Sequence, residues 1–137
     1  MSHSVSLNWK GGMEFESSLD NHKIILDTTT EWGGSDKGPS PKKLMLVALA
    51  GCTGMDVVSL LKKMHISYTG LSISVDATLT EEHPKQYNSM HLIYEFEGDN
   101  LSLEKLQKVI DMSLDRYCGV AAVYKKVMPL TYEIKIK

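Results

Sequence analysis

The chain is predicted to fold as one α+β domain, residues 1–137, with elements in the order β-β-β-α-β-β-α-β and antiparallel sheets around a buried central helix. Three observations predict this. Six short stretches alternate apolar and polar residues, which is the period of a half-buried strand. One long apolar run, Leu44-Met-Leu-Val-Ala-Leu-Ala-Gly-Cys52, follows a helix-start signal, Pro39-Ser40-Pro41. A second run beginning at Ser102 carries its apolar residues at three- and four-residue spacing.

In residues 4–10, Val5, Leu7 and Trp9 share one side, and Gly11-Gly12 marks a tight turn. Residues 13–18 place Met13 and Phe15 inward, with Glu14 and Glu16 outward. Asp20-Asn21 supplies a second turn, and His22 to Asp27 reads as a third strand, completing an antiparallel meander. Residues 28–38 form a loop rich in Thr, Gly, Ser and Asp. Its Trp32 is expected to cap the edge of the core. Gly33-Gly-Ser-Asp-Lys-Gly38 lacks the GK[ST] ending of a phosphate loop.

Ser40 suits an N-cap, and Pro41 the first helical position, where a missing N–H costs nothing. The helix should reach about Met64. Its first half is apolar all round, which predicts burial on every side. Its second half gains Asp56, Ser59, Lys62 and Lys63 and should emerge toward solvent. Residues 71–80 form a strand with Ile73, Val75, Ala77 and Leu79 on one face. Glu81 to Gln86 turns the chain, and Met90, Leu92, Tyr94 and Phe96 define the next strand. Ser102 caps a helix whose face is Leu103, Leu106, Ile110, Leu114 and Tyr117. Gly119 interrupts it after Cys118, and Val120–Lys126 adds a further turn or two. Tyr132, Ile134 and Ile136 alternate in a final strand.

The length fits one domain, and 42% hydrophobic residues suffice for a core. The net charge is −2 and the 15 basic residues are scattered, which excludes the electrostatic footprint of a nucleic-acid binder. The N-terminus has neither the basic nor the apolar segment of a secretory leader. The apolar run is broken by Thr53, Gly54 and Asp56, short of the roughly 20 residues of a membrane span. A cytoplasmic protein with no membrane partner is expected. An all-apolar helix is hard to cover in so small a domain, so an intertwined homodimer is expected, a second copy supplying the cover.

Two thiols, Cys52 and Cys118, carry the available chemistry. In a reducing cytosol they are inert core thiols or a transient catalytic pair. Cys52 lies too far along its helix to feel the dipole, which fades within about one turn. Asp56 is one turn on, on the same face, where a carboxylate opposes ionisation unless it is neutralised or orients the thiol. On residues alone, an inert core role explains Cys52 equally well. Cys118 stands at a helix junction beside Arg116, and a helix starting near Gly119 would aim N–H groups at it. That setting favours thiolate more than the site of Cys52 does. The five histidines are scattered and none pairs with a cysteine at metal-ligand spacing, so no metal site is expected.

The segment Gly38-Pro-Ser-Pro-Lys-Lys-Leu-Met-Leu-Val-Ala-Leu-Ala-Gly-Cys52 resembles the central-helix motif of the OsmC/Ohr family. Asp115-Arg-Tyr-Cys118-Gly-Val resembles that family's second-cysteine motif. The order of elements matches over essentially the whole chain. The resemblance implies an OsmC-like fold and a homodimer with two active sites at the subunit interface. It also implies a thiol peroxidase that reduces organic hydroperoxides in stress defence. Cys52 would be peroxidatic and Cys118 resolving, an external dithiol would restore both, and no metal or flavin would be needed. The peroxidase members also carry an arginine on an early strand and a glutamate at the start of the central helix. Here the sole arginine is Arg116, and Lys42 or Lys43 holds the glutamate position. The chain thus looks more like the less-characterised OsmC-like branch. Arg116, Lys42, Lys43 and Lys10 are the candidate thiolate-stabilising cations, with Asp56 as an orienting group. The alternatives on the same fold are a non-enzymatic redox sensor and a binder of a small apolar ligand.

Overall fold

A computed structural model describes residues 1–137. The chain divides into two compact units, residues 1–45 and 46–137.

The first unit is a three-stranded antiparallel meander, β1 (Ser6–Gly11), β2 (Glu14–Leu19) and β3 (His22–Leu26), in the order β1-β2-β3. The expected turns lie at Gly11-Gly12 and at Asp20-Asn21, both residues of the second having positive φ. The loop after β3 is organised by Asp27, whose buried carboxylate accepts backbone N–H groups from Thr28 (2.7 Å) and Lys37 (3.1 Å). A Cβ on Gly34 would lie 2.1 Å from the Thr28 carbonyl oxygen, and one on Gly38 2.2 Å from that of Ile25. Only glycine permits the loop to fold this closely on itself. Trp32 does not cap a core. It sits in a single 3₁₀ turn, Thr30–Trp32, that buries no residue, and is 72% exposed.

A second 3₁₀ turn, Pro41–Lys43, leads into α1 (Leu44–Lys63). α1 ends in a Schellman motif: His65 has φ 55°, its N–H reaches the Lys62 carbonyl, and the Ile66 N–H reaches that of Leu61. The second unit then forms β4 (Gly70–Leu79), β5 (Tyr87–Glu97), α2 (Leu103–Met112), a π turn (Ser113–Tyr117), α3 (Gly119–Tyr124) and β6 (Leu130–Ile136). Its sheet order is β4-β5-β6. β4 and β5 are antiparallel, as expected, but β6 runs parallel to β5 and corrects the all-antiparallel expectation. α2 and α3 lie between these two strands, and only such a crossover, never a hairpin, can join parallel neighbours.

The core of this unit gathers Met90, Leu92, Tyr94 and Phe96 of β5 with Leu106, Val109 and Ile110 of α2 and Leu49, Val57 and Leu61 of α1. Tyr94 packs edge-on against Tyr132, ring centres 5.9 Å apart.

Two expectations about α1 need correction. Within one chain it is not enclosed: Leu49, Thr53, Val57 and Leu61 are buried, one every four residues, while Val47 and Met55 are 63% and 78% exposed. Contrary to the expectation that it falls short, the helix Pro41–Lys63 is long and apolar enough to cross a membrane by length and composition: its 23 residues contain an 18-residue stretch of mean hydropathy 2.0. A domain's core helix has the same attributes, and the buried stripe of α1 sits in the core of the second unit.

Candidate functional site

The site lies where α1 meets the end of α2. On α1, Cys52 and Asp56 are four residues apart and therefore share a face, with Thr53 pointing into the core between them. The π turn after α2 closes with the Cys118 N–H on the Ser113 carbonyl at 2.7 Å. Such one-residue expansions of a helix recur at functional sites. Cys118 then caps α3, its sulfur accepting the Ala121 N–H at 3.4 Å.

The two sulfurs and a carboxylate oxygen of Asp56 all lie within 4.8 Å of one another. Both thiols are free, Cys118 buried and Cys52 half-buried. Side-chain hydroxyls hold this group from below. Ser113 Oγ donates to Asp56 Oδ2 at 2.9 Å and lies 2.7 Å from Thr53 Oγ1, which lies 2.8 Å from the Tyr94 hydroxyl. Each hydroxyl has one proton, so the direction is set by the last link: Tyr94 donates to Thr53, Thr53 to Ser113, and Ser113 to the carboxylate. Burial raises the Tyr94 phenol well above its ordinary value, which keeps it a donor.

Burial also raises the Cys118 thiol, to about 11; the Ala121 N–H opposes this and the Cys52 thiol adds to it. The helix beginning at Gly119 does aim an N–H at Cys118, as the sequence suggested. That contact does not make Cys118 thiolate-like, because desolvation outweighs one long N–H···S contact.

The candidate cations are placed as follows. Arg116 is exposed, with its guanidinium 6.0 Å from the centre of the Tyr117 ring. Lys10, on β1, pairs with Glu16 at 3.5 Å. Lys42 and Lys43 are exposed in the 3₁₀ turn before α1. Two small clefts border the thiol group, one at Asp56 and one at Cys118. One of about 280 Å³ is lined by Asp56, Ser59, Leu60, Lys63 and Tyr117. Another, of about 140 Å³, includes Arg116, Cys118 and Lys125.

Sequence reasoning missed Thr53, Ser113 and Tyr94 as site residues. Their signal was present as hydroxyls at core positions. Thr53 falls in the four-residue repeat of Leu49, Val57 and Leu61, and Ser113 continues the buried face of Leu106, Val109 and Ile110.

The chain belongs to the OsmC-like proteins, whose family model matches residues 34–133. Among curated relatives, Protein YhfA of Escherichia coli K12 is 28% identical over 131 residues, 95% of each chain. A hypothetical protein from Aquifex aeolicus, solved by crystallography, is 27% identical with a TM-score of 0.84, covering 100% of this chain and 98% of that one. The Organic Hydroperoxide Resistance Protein OhrB of Bacillus subtilis is 14% identical with a TM-score of 0.65, covering 100% and 98%, and shares the fold.

Proposed function

We propose that this chain is a thiol-dependent peroxidase for organic hydroperoxides, working in the cytoplasm with an external dithiol as reductant. The observation that carries this reading is the gathering of Cys52 and Cys118 at one point, both reduced, from segments 66 residues apart in sequence numbering (118 less 52). The fold shared with a protein named for organic hydroperoxide resistance supports the choice of substrate.

The proximity of the two thiols supports a two-cysteine cycle. The Cys52 thiolate attacks the terminal peroxide oxygen and the O–O bond breaks, leaving Cys52 sulfenic acid and an alkoxide that takes up a proton to leave as alcohol. The Cys118 sulfur then displaces the sulfenic hydroxyl, which leaves as water, and a disulfide forms. A dithiol reduces that disulfide by two exchange steps and leaves as its own disulfide. Cys52 is the more exposed thiol and serves as the attacking one. Cys118, raised by burial, is held as a thiol until Cys52 is oxidised. Asp56, fixed by Ser113, orients the pair.

A second copy of the chain is part of this proposal. The first half of α1 is apolar all round, yet the helix is buried along one stripe only, and with β4 it lines an open groove of about 850 Å³, including Val47, Met55, Val58, Leu71 and Ile73. At Gly51 nothing lies within 4 Å of an added Cβ, so another surface can approach closely there, whereas Ile73 of β4 already packs on Gly54. A monomer mass at micromolar concentration would remove the dimer from the proposal.

The test of the activity is consumption of cumene or tert-butyl hydroperoxide with a dithiol present. Wild type should turn over, Cys52→Ser should not, and Cys118→Ser should stop at a trappable sulfenic acid. Absence of turnover in wild type, with Cys52 no faster toward alkylating agents than free cysteine, would overturn it.

A further inference from the structure

We propose that Cys52, Cys118 and Asp56 form a binding site for one borderline-soft divalent cation of the zinc class. This does not rest on the peroxidase reading. The donor set is two sulfurs and one carboxylate oxygen, all within 4.8 Å of one another. A tetrahedral zinc ion bonded at about 2.3 Å to sulfur spaces two thiolates about 3.8 Å apart, so small rotations bring all three donors onto one centre. Sulfur with carboxylate selects such an ion over magnesium or calcium, which take oxygen alone. Three protein ligands leave a fourth position for water, and the clefts beside Asp56 and Cys118 give an ion its entry.

The surroundings also suit a cation. Ser113 holds Oδ2 of Asp56 by donating to it, which orients the carboxylate as outer-shell groups orient ligands. The Ala121 N–H points at the Cys118 sulfur, a contact that supports charge on it. Asp56 is in none of the chain's ion pairs, so a carboxylate stands beside two ionisable thiols with no positive side chain bound to it. Two thiolates and a carboxylate this close repel one another. A divalent ion turns that repulsion into binding. Histidine-to-cysteine spacing does not reveal the set, because its third member is an aspartate one helical turn from Cys52.

The chemistry balances simply. The ion displaces the two thiol protons, which go to solvent, and no electron moves. Disulfide formation consumes the same sulfurs, so the oxidised protein loses the site.

The test uses the reduced, chelator-stripped full chain without any hydroperoxide, titrated anaerobically with cadmium and then with zinc against a chromophoric chelator. The expected result is one ion per chain, an ultraviolet sulfur-to-cadmium charge-transfer band, and proton release. Asp56→Asn should weaken binding at least about 10-fold, and Cys52→Ser or Cys118→Ser at least about 100-fold. Because a variant can fail to fold, the disulfide form of the wild-type chain is the second comparison and should not bind. Any of three results would overturn the site: no charge-transfer band, undiminished affinity in Asp56→Asn, or equal binding by the disulfide form. Peroxidase activity is read in a separate assay, so either proposal can fail without the other.

Discussion

Ser113 Oγ donates to the Asp56 carboxylate at 2.9 Å, joining residues 57 apart in the chain and fixing the π turn onto α1. Ser113 also accepts from Thr53, so it links the buried hydroxyl chain to the site. Ser113→Ala leaves the Thr53 hydroxyl without its acceptor in a fully buried position. The expected cost is about 1–3 kcal/mol, measured by urea unfolding. The same variant releases Asp56, so peroxide turnover should fall even at temperatures where the variant is fully folded. Unchanged turnover there would confine Ser113 to a structural role.

Thr53 and Tyr94 should behave as a coupled pair. Thr53→Val removes the acceptor of the Tyr94 phenol and should cost about 1–3 kcal/mol. Tyr94→Phe removes the donor and leaves Thr53 still bonded to Ser113, so about 1 kcal/mol is expected. The double variant should cost less than the sum, by about 0.5 kcal/mol or more, because the second change no longer leaves a buried group unpaired. Additive effects would mean that the 2.8 Å contact contributes nothing to stability.

Periodicity made the element order legible. Every expected strand and helix is present, because alternation and three-to-four spacing report the local conformation, although Met13 and Phe15, expected inward, are exposed, as are Leu103 and Tyr117 on the face expected of the second helix. The pairing of β6 was not legible, since a strand's own pattern does not tell which way its neighbour runs. The exposure of Val47 and Met55 was hidden because composition shows that a helix is apolar, not what covers it. The two cysteines were found from their motifs, but the hydroxyls beneath them were not. A threonine or serine at a core position looks like a minor flaw in an apolar stripe until its partner, here 60 residues away, is known. Asp27 was missed for a related reason: its partners are backbone N–H groups, which sequence patterns do not display.

Asp27 supplies an acid-side prediction for the first unit. The Lys37 N–H, then that of Thr28, hold its carboxyl below the ordinary 3.8, against the opposing effect of burial. The native state therefore binds this proton less tightly than the unfolded chain does. Its contribution is fully present above the unfolded value and is lost as pH falls through the lower native one. Wild type should be more stable than Asp27→Asn near neutral pH, and the gap should close below about pH 4. Both tryptophans, Trp9 and Trp32, lie in this unit, so their fluorescence reads its unfolding. A gap that stays constant down to strong acid would show that the N–H contacts do not favour the charged carboxylate.

Cys118 reverses the sign on the alkaline side. Burial raises its thiol to about 11, with Cys52 adding to the rise, whereas a cysteine in the unfolded chain loses its proton near ~8.5. Between these values the native state holds a proton that the unfolded state has released. The stabilisation is complete below about pH 8.5 and is lost as pH rises through the native value, with a slope no steeper than about 1.4 kcal/mol per pH unit. Tyr94, also raised by burial, extends the loss to higher pH. Urea unfolding of the reduced chain should show wild type losing stability between about pH 8.5 and 10.5 faster than Cys118→Ala, which has no thiol to ionise at this position. Parallel curves for the two proteins would mean that Cys118 ionises no less readily when folded. The thiol would then not be held in reserve while Cys52 reacts, and the order assigned to the two cysteines would have no electrostatic basis.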